Sequence, residues 1–197
     1  MILKSLTKMI ALCLVAMLTT SMAHGQWSLV NDSSTLSFVT IKADHVGEVH
    51  TFDLMSGTIS DDGMVEITVE LASVNTLIDI RNECMRDMLF ETNIFPEATI
   101  SGNIDLASVT ALAVGATHLM QVSFNLDVHG ESNSYSADIL VTRLQNGVVA
   151  STVKPILISA DTHNLVSGVE ALREVAGLPS ISRAVPVSFT VVFNRDD

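Results

Sequence analysis

Cysteine, aromatic side chains and positive charge are all scarce in this 197-residue chain. There are two cysteines, Cys13 and Cys84. The first lies in a segment that reads as a removable leader, so Cys84 is left alone. That excludes an intramolecular disulfide, and with no C-x-x-C pair it also excludes thioredoxin-type redox and c-type haem chemistry. Aromatics make up 5% of residues, so a core must be built largely from Val, Ile, Leu, Met and Ala. Ten basic residues face 22 acidic ones. Such a surface repels nucleic acid and anionic headgroups. Beyond the leader no run of 18 apolar residues occurs, so no transmembrane helix is expected and no stable insertion into a membrane. There is no G-x-S-x-G elbow, Gly-rich phosphate loop, dinucleotide fingerprint, H-x-H or H-E-x-x-H.

Residues 1–25 have the anatomy of a secretory signal peptide. Lys4 and Lys8 form the basic end, Ile10 to Leu18 the apolar stretch, and Ala23-His24-Gly25 an A-x-A-like cleavage site before Gln26. Cleavage after Ala23 is the alternative. The expected location is the periplasm. Residues 26–197 then form one domain of about 172 residues, with eight basic and 22 acidic residues and a net charge of −14.

What is abundant is alternation. Val65, Ile67, Val69 and Leu71 alternate with Glu66, Thr68 and Glu70. Met120, Val122, Phe124, Leu126 and Val128 do so with polar partners, as do Tyr135, Ala137, Ile139 and Val141, and Val185, Val187, Phe189, Val191 and Phe193. A period of two with one apolar face is the signature of half-buried strands. Turn signals separate them: Asp61-Asp62-Gly63, Gly130 to Asn133, and Gln145-Asn146-Gly147. About eight strands are expected, near 34–43, 47–60, 63–73, 97–107, 117–129, 134–144, 148–160 and 184–194, with a short extra strand in Trp27 to Asn31. Alternation alone allows an up-and-down barrel or a sandwich. Two segments switch to helical spacing: Asn82 to Phe90, and Ser167 to Ala176 with Ser167 as candidate N-cap and Gly177 as stop.

Several blocks of residues resemble the YceI-like family of periplasmic lipid-binding proteins. Ser34-Thr35-Leu36-Ser37-Phe38 resembles the family's first strand. Phe52, Met55, Gly57 and Ile59 resemble its F-x-x-(F)-x-G-x-I strand, and Leu71 to Thr76 its a-S-(apolar)-x-T strand end. Arg86-Asp87-x-Leu89-Phe90 followed by Phe95-Pro96-x-Ala98-Thr99-Ile100 is the most specific match. The similarity spans about residues 27–193 and weakens after 130. The chain departs from the pattern at Lys42-Ala43, where the family has a Lys-His-like pair, and at His50, where it has Gly. The resemblance implies an all-β, lipocalin-like extended antiparallel barrel with one or two short helices, whose interior binds an isoprenoid chain or other amphiphile. It implies no catalytic residues.

The expectation is therefore a carrier of a long-chain isoprenoid, prenyl quinone-like, or other fatty lipid, with no enzymatic activity, cofactor or metal. The candidate ligand-contacting residues are Phe38, His50, Phe52, Val65, Ile67, Val69, Leu89, Phe90, Phe95, Val122, Phe124, Leu126, Ile139 and Phe189. A chain burying about 15 carbons gains roughly 12 kcal/mol at about 0.8 kcal/mol per methylene. That is comparable to the roughly 4–15 kcal/mol that association costs, so only long chains are held this way. The sparse cations favour a neutral headgroup: Arg81 and Arg86 are the only close pair, and a pyrophosphate would need them to converge. Arg86-Asp87 also suits a loop-anchoring salt bridge. His45 and His50 would face opposite sides of a strand, which disfavours a metal site. Other readings are an interaction protein docking a membrane enzyme, and a lipid-acting hydrolase using Asp161, His163 and Ser167. A homodimer is compatible with all of these.

Overall fold

The structure, a computed structural model, describes residues 27–196. The expected leader, its cleavage site and Cys13 lie outside the described residues. Twelve strands run β1 Trp27–Leu29, β2 Thr35–Lys42, β3 Val46–Phe52, β4 Met55–Ile59, β5 Met64–Glu70, β6 Val74–Asn75, β7 Glu97–Asn103, β8 Thr117–Val128, β9 Glu131–Arg143, β10 Gly147–Thr152, β11 Ile156–Ser159 and β12 Ala184–Arg195. Three helices accompany them: α1 Asp79–Cys84, continued by a π-helical turn over Met85–Leu89, α2 Leu106–Thr110 and α3 Val166–Val175.

All pairings are antiparallel, and they close. β12 pairs with β1 at Arg195–Trp27 and with β2 at Val187–Phe38. On its other edge it pairs with β10 at Asn194–Gly147 and with β11 at Val187–Ile156. β1 with β2, β3 with β4, and β10 with β11 each behave as one kinked strand. Five more strands complete an eight-membered ring, an up-and-down closed barrel rather than a sandwich. Closure leaves no long unpaired edge.

The kinks have local causes. Pro155 has no N–H to donate and splits the expected 148–160 strand. The Thr152 hydroxyl covers the gap by accepting the Phe189 N–H at 3.2 Å. The expected 47–60 strand breaks at Asp53-Leu54. There Asn31 replaces the ladder, its Oδ1 accepting the Met55 N–H at 2.8 Å and its Nδ2 donating to the Asp53 carbonyl at 3.1 Å. Gly57 is needed for close approach, because a Cβ there would stand 2.7 Å from the Glu66 carbonyl oxygen.

The two ends differ. At one, α2 plugs the barrel. Asp105 caps it by accepting the Ser108 N–H at 3.2 Å, and Leu106 and Val109 enter a core with Trp27, Ile59, Ile67, Ile139 and Phe193. At the other, α1 and α3 lie over the barrel. Gly168 lets α3 approach the Met85–Leu89 turn, where a Cβ would meet the Met88 carbonyl oxygen at 2.6 Å. Two helical expectations are adjusted: the first helix starts at Asp79 rather than Asn82, and α3 is entered from Leu165 without a side-chain cap, so Ser167 lies in its first turn. Gly177 sits just past α3 at φ 62°, the left-handed stop expected of it.

Candidate functional site

Above the plug the barrel holds an apolar cavity of about 460 Å³, within the range of small-molecule sites, roughly 300–1,000 Å³. Inward-facing positions of β2, β3, β5, β7, β8 and β12 form its wall, and α1, the π-helical turn and α3 form its roof. Ile80, Val175 and Ala176 line the cavity yet are exposed, so it reaches solvent between α1 and α3.

Nine of the fourteen sequence-derived candidates meet here. Phe38, His50, Phe52 and Val69 come from β2, β3 and β5; Leu89 and Phe90 from the π-helical turn and its end; Phe124, Leu126 and Phe189 from β8 and β12. Phe38 and Phe52 have ring centroids 5.3 Å apart, and Phe52 is 5.7 Å from Phe90, so three of these rings form one aromatic wall. The other five lie elsewhere. Val65, Ile67, Val122 and Ile139 pack into the core around α2. Phe95 packs against His129 with ring centroids 4.3 Å apart and the rings tilted by 46°. The sequence reading did not single out the roof residues Leu165, Val169 and Leu172 as ligand contacts, although helical spacing marked Val169 and Leu172 as an apolar face.

The lining's polar groups gather at one place. Lys42 Nζ and Arg81 Nη1 both reach Glu48 Oε2 at 2.7 Å. The hydrogen bond from Lys42, aided by the charge of Arg81, holds the Glu48 carboxyl below its ordinary range against the opposing effect of burial. Arg81 Nη2 donates to the Thr76 carbonyl at 2.6 Å. His50, 3% exposed, pairs its Nε2 with Thr40 Oγ1 at 2.9 Å. Its Nδ1 and Arg81 Nε are buried without a hydrogen-bond partner. Burial pushes the His50 imidazole below the ordinary histidine range, and the Arg81 charge pushes it the same way. The Arg81–Arg86 convergence that a pyrophosphate would need does not form: Arg86 Nη1 donates to the Ala72 carbonyl at 3.2 Å, and Lys42 is the cation that joins Arg81 at Glu48.

Two further histidines, His163 and His129, brace the shell. His163 is fully buried; its Nδ1 donates to the Glu131 carbonyl at 3.1 Å, so its Nε2 accepts from the Tyr135 hydroxyl at 2.8 Å. Asp161 is held by Arg183 at 3.2 Å. Both ring nitrogens of His163 are thus committed to groups other than Asp161 and Ser167. His129 pairs with Glu91 at 2.8 Å. Among the described residues no cluster of three His, Cys, Asp or Glu could hold a metal ion, and no helix is long and apolar enough to cross a membrane.

A polyisoprenoid-binding domain from Saccharophagus degradans, implicated in plant cell wall breakdown, is 42% identical to this chain. The match covers 86% of this chain and 98% of that one, with a TM-score of 0.84. BcnA of Burkholderia cenocepacia, at 17% identity, 83% and 98% coverage and a TM-score of 0.64, shares the fold. The YCEI protein of Campylobacter jejuni shares it at 14% identity, 75% and 85% coverage and a TM-score of 0.56. Among curated proteins none matches. The model of the YceI-like domain matches residues 27–193, and the chain belongs to that family.

Proposed function

We propose that this protein is a periplasmic carrier that holds the chain of an isoprenoid lipid in its barrel and performs no chemistry on it. The observation that carries the reading is the cavity: set inside a closed barrel, walled by aliphatic and aromatic side chains, and roofed by helical segments. The 42%-identical relative binds polyisoprenoid, which supports the same class of cargo here. The nine converging candidates are the proposed contacts. Such a cavity suits a flexible hydrocarbon, because its holding force is non-directional burial. The headgroup is proposed to be neutral and quinone-like, because Lys42 and Arg81 are both bound to Glu48. The leader expected over residues 1–25 supports the periplasmic location.

The test is loading. Purified protein is incubated with vesicles containing a long-chain prenyl quinone, re-isolated and assayed for bound quinone. The wild type should load, and Phe124→Arg should stay folded by circular dichroism but empty. Equal loading of the two would overturn the assignment of the cavity.

A further inference from the structure

At two neighbouring positions beside the cavity mouth the chain carries an exposed apolar side chain where the backbone favours a different residue. Leu77 sits at φ 61°, in the left-handed region that disfavours a leucine. Its N–H is held by Asn75 Oδ1 at 3.0 Å, and it is 88% exposed, so packing within the fold does not compensate. Ile78 is the extended residue at the start of α1, where a Ser or Asp would accept a helix N–H. It makes no side-chain cap and is exposed as well. Local rules broken in the open, with no gain in packing, mark a functional position. We propose that Leu77 and Ile78, with Ile80, Val46 and Val175, form a docking face for a neutral, zwitterionic lipid surface, across which the cargo passes between bilayer and barrel. The proposal rests on the carrier reading and adds to it the surface that supplies the cargo.

Three exposed stretches meet at the mouth. Residues 77–80 lead into α1, residues 44–47 turn from β2 into β3, and residues 174–177 end α3. Printed contacts tie the three together: Arg81 of α1 reaches Glu48 of β3 at 2.7 Å, the Ala43 N–H donates to the Ser180 carbonyl at 3.0 Å, and Lys42 bridges to Ile181. Ile80 and Val175 are exposed and also line the cavity, so the apolar face continues into the site of the cargo.

Cargo and charge select the occupant. A long hydrocarbon tail resists passage through water in proportion to its apolar area, so it is taken up where bilayer and cavity touch. Exposed apolar residues gathered in one place mark such a contact. The cations of the rim are committed, Lys42 and Arg81 to Glu48, and Arg173 to Glu170 and Glu174. Asp44 and Asp79, both exposed, leave the rim net negative. That repels anionic headgroups, and a second copy docked mouth to mouth would meet the same like charges. A zwitterionic surface meets neither obstacle, and contact at its interface requires no inserted segment.

The double variant Leu77→Gly/Ile78→Ser tests the face, because it installs what the backbone favours at both positions and leaves every cavity-lining residue in place. Its melting temperature by circular dichroism should match or exceed that of the wild type. Loading is timed with a long-chain prenyl quinone from phosphatidylcholine vesicles and, separately, with decylubiquinone from a mild nonionic detergent. The wild-type rate should rise with vesicle concentration, as contact requires. The variant should be roughly tenfold slower from vesicles, since interfacial binding scales with the apolar area offered. Loading from detergent should be the same for both. Five results would each overturn the docking face: a wild-type rate independent of vesicle concentration, equal rates for the two proteins, faster wild-type loading from anionic phosphatidylglycerol vesicles, a variant that melts lower, or a wild-type dimer in sedimentation that the variant dissociates. Failure of the wild type to load from detergent would overturn the carrier reading instead.

Discussion

Gly168 of α3 lies against Met88 so closely that a Cβ at position 168 would stand 2.6 Å from the Met88 carbonyl oxygen and 2.7 Å from Leu89 Cα. The contact is with backbone, which cannot rotate away. It joins the two helical segments that roof the cavity, and Leu89 on one side and Val169 on the other line it.

Gly168→Ala should therefore destabilise the protein, although alanine is the better helix former. The propensity gain is about 0.5–1 kcal/mol, whereas overpacking typically costs about 1–3 kcal/mol. Overpacking wins, and Tm should fall by several degrees in a thermal melt. Because the roof segments are forced apart, loaded lipid should also leave faster than from the wild type.

Position along the barrel axis separates two inward-facing residues that alternation treats alike. Phe124 lines the cavity and only borders the core around α2, while Ile67, 8% exposed, lies within that core and does not line the cavity. A charge at 67 has neither water nor a partner, and burying it unpaired is strongly unfavourable. Ile67→Glu should thus fail to fold or melt far below the wild type, whereas Phe124→Arg should fold and remain empty. Circular dichroism melts of the two variants, read beside quinone loading, make the comparison.

Trp27 is the single tryptophan, is 1% exposed and sits in the plugged end. Cargo confined above α2 does not reach it. Its emission should be blue-shifted and unchanged on loading. A shift on loading would mean that the chain penetrates to the plug, where Val65, Val122 and Ile139 pack.

His50 gives a pH signature. Its imidazole is held below the ordinary histidine range in the folded protein, so the unfolded chain takes up the proton first. Stability due to the neutral ring is complete above about pH 6.5. It declines as pH falls below that value, until the folded protein is protonated too. The slope cannot exceed about 1.4 kcal/mol per pH unit, the value for one proton. Glu48, held below the ordinary carboxylate range, adds a separate loss at more acid pH, with stability present above about pH 4.5 and falling below it. Denaturant titrations from pH 7 to 5 should show wild type losing stability relative to His50→Phe. Parallel curves would contradict a buried neutral His50.

The barrel was legible because its evidence is periodic. Val65 to Leu71 and Met120 to Val128 announce their inward faces, and eight such segments with short turns leave few architectures. The kinks were not legible: the Asp53-Leu54 break depends on Asn31, 22 residues earlier, supplying an amide in place of a ladder bond. For the same reason the site was only partly visible. Alternation tells which side of the wall Val65, Ile67, Val122 and Ile139 face, but not that Leu106 and Val109 fill the space before them. That plug is five residues long and straddles the end of the expected 97–107 strand, although Asp105 and Ser108 carried its capping signal. The joining of Lys42, Glu48, His50 and Arg81 is a tertiary event that no local spacing encodes.

The central claim is that the barrel carries one isoprenoid chain with a neutral head. Native mass spectrometry of protein recovered from periplasmic extract, followed by solvent extraction and identification of what is released, tests it most directly. The account predicts a one-to-one complex whose extra mass belongs to a prenyl-chain molecule bearing a carbonyl headgroup. Protein found only at its bare mass, or a released polyprenyl phosphate, would contradict it.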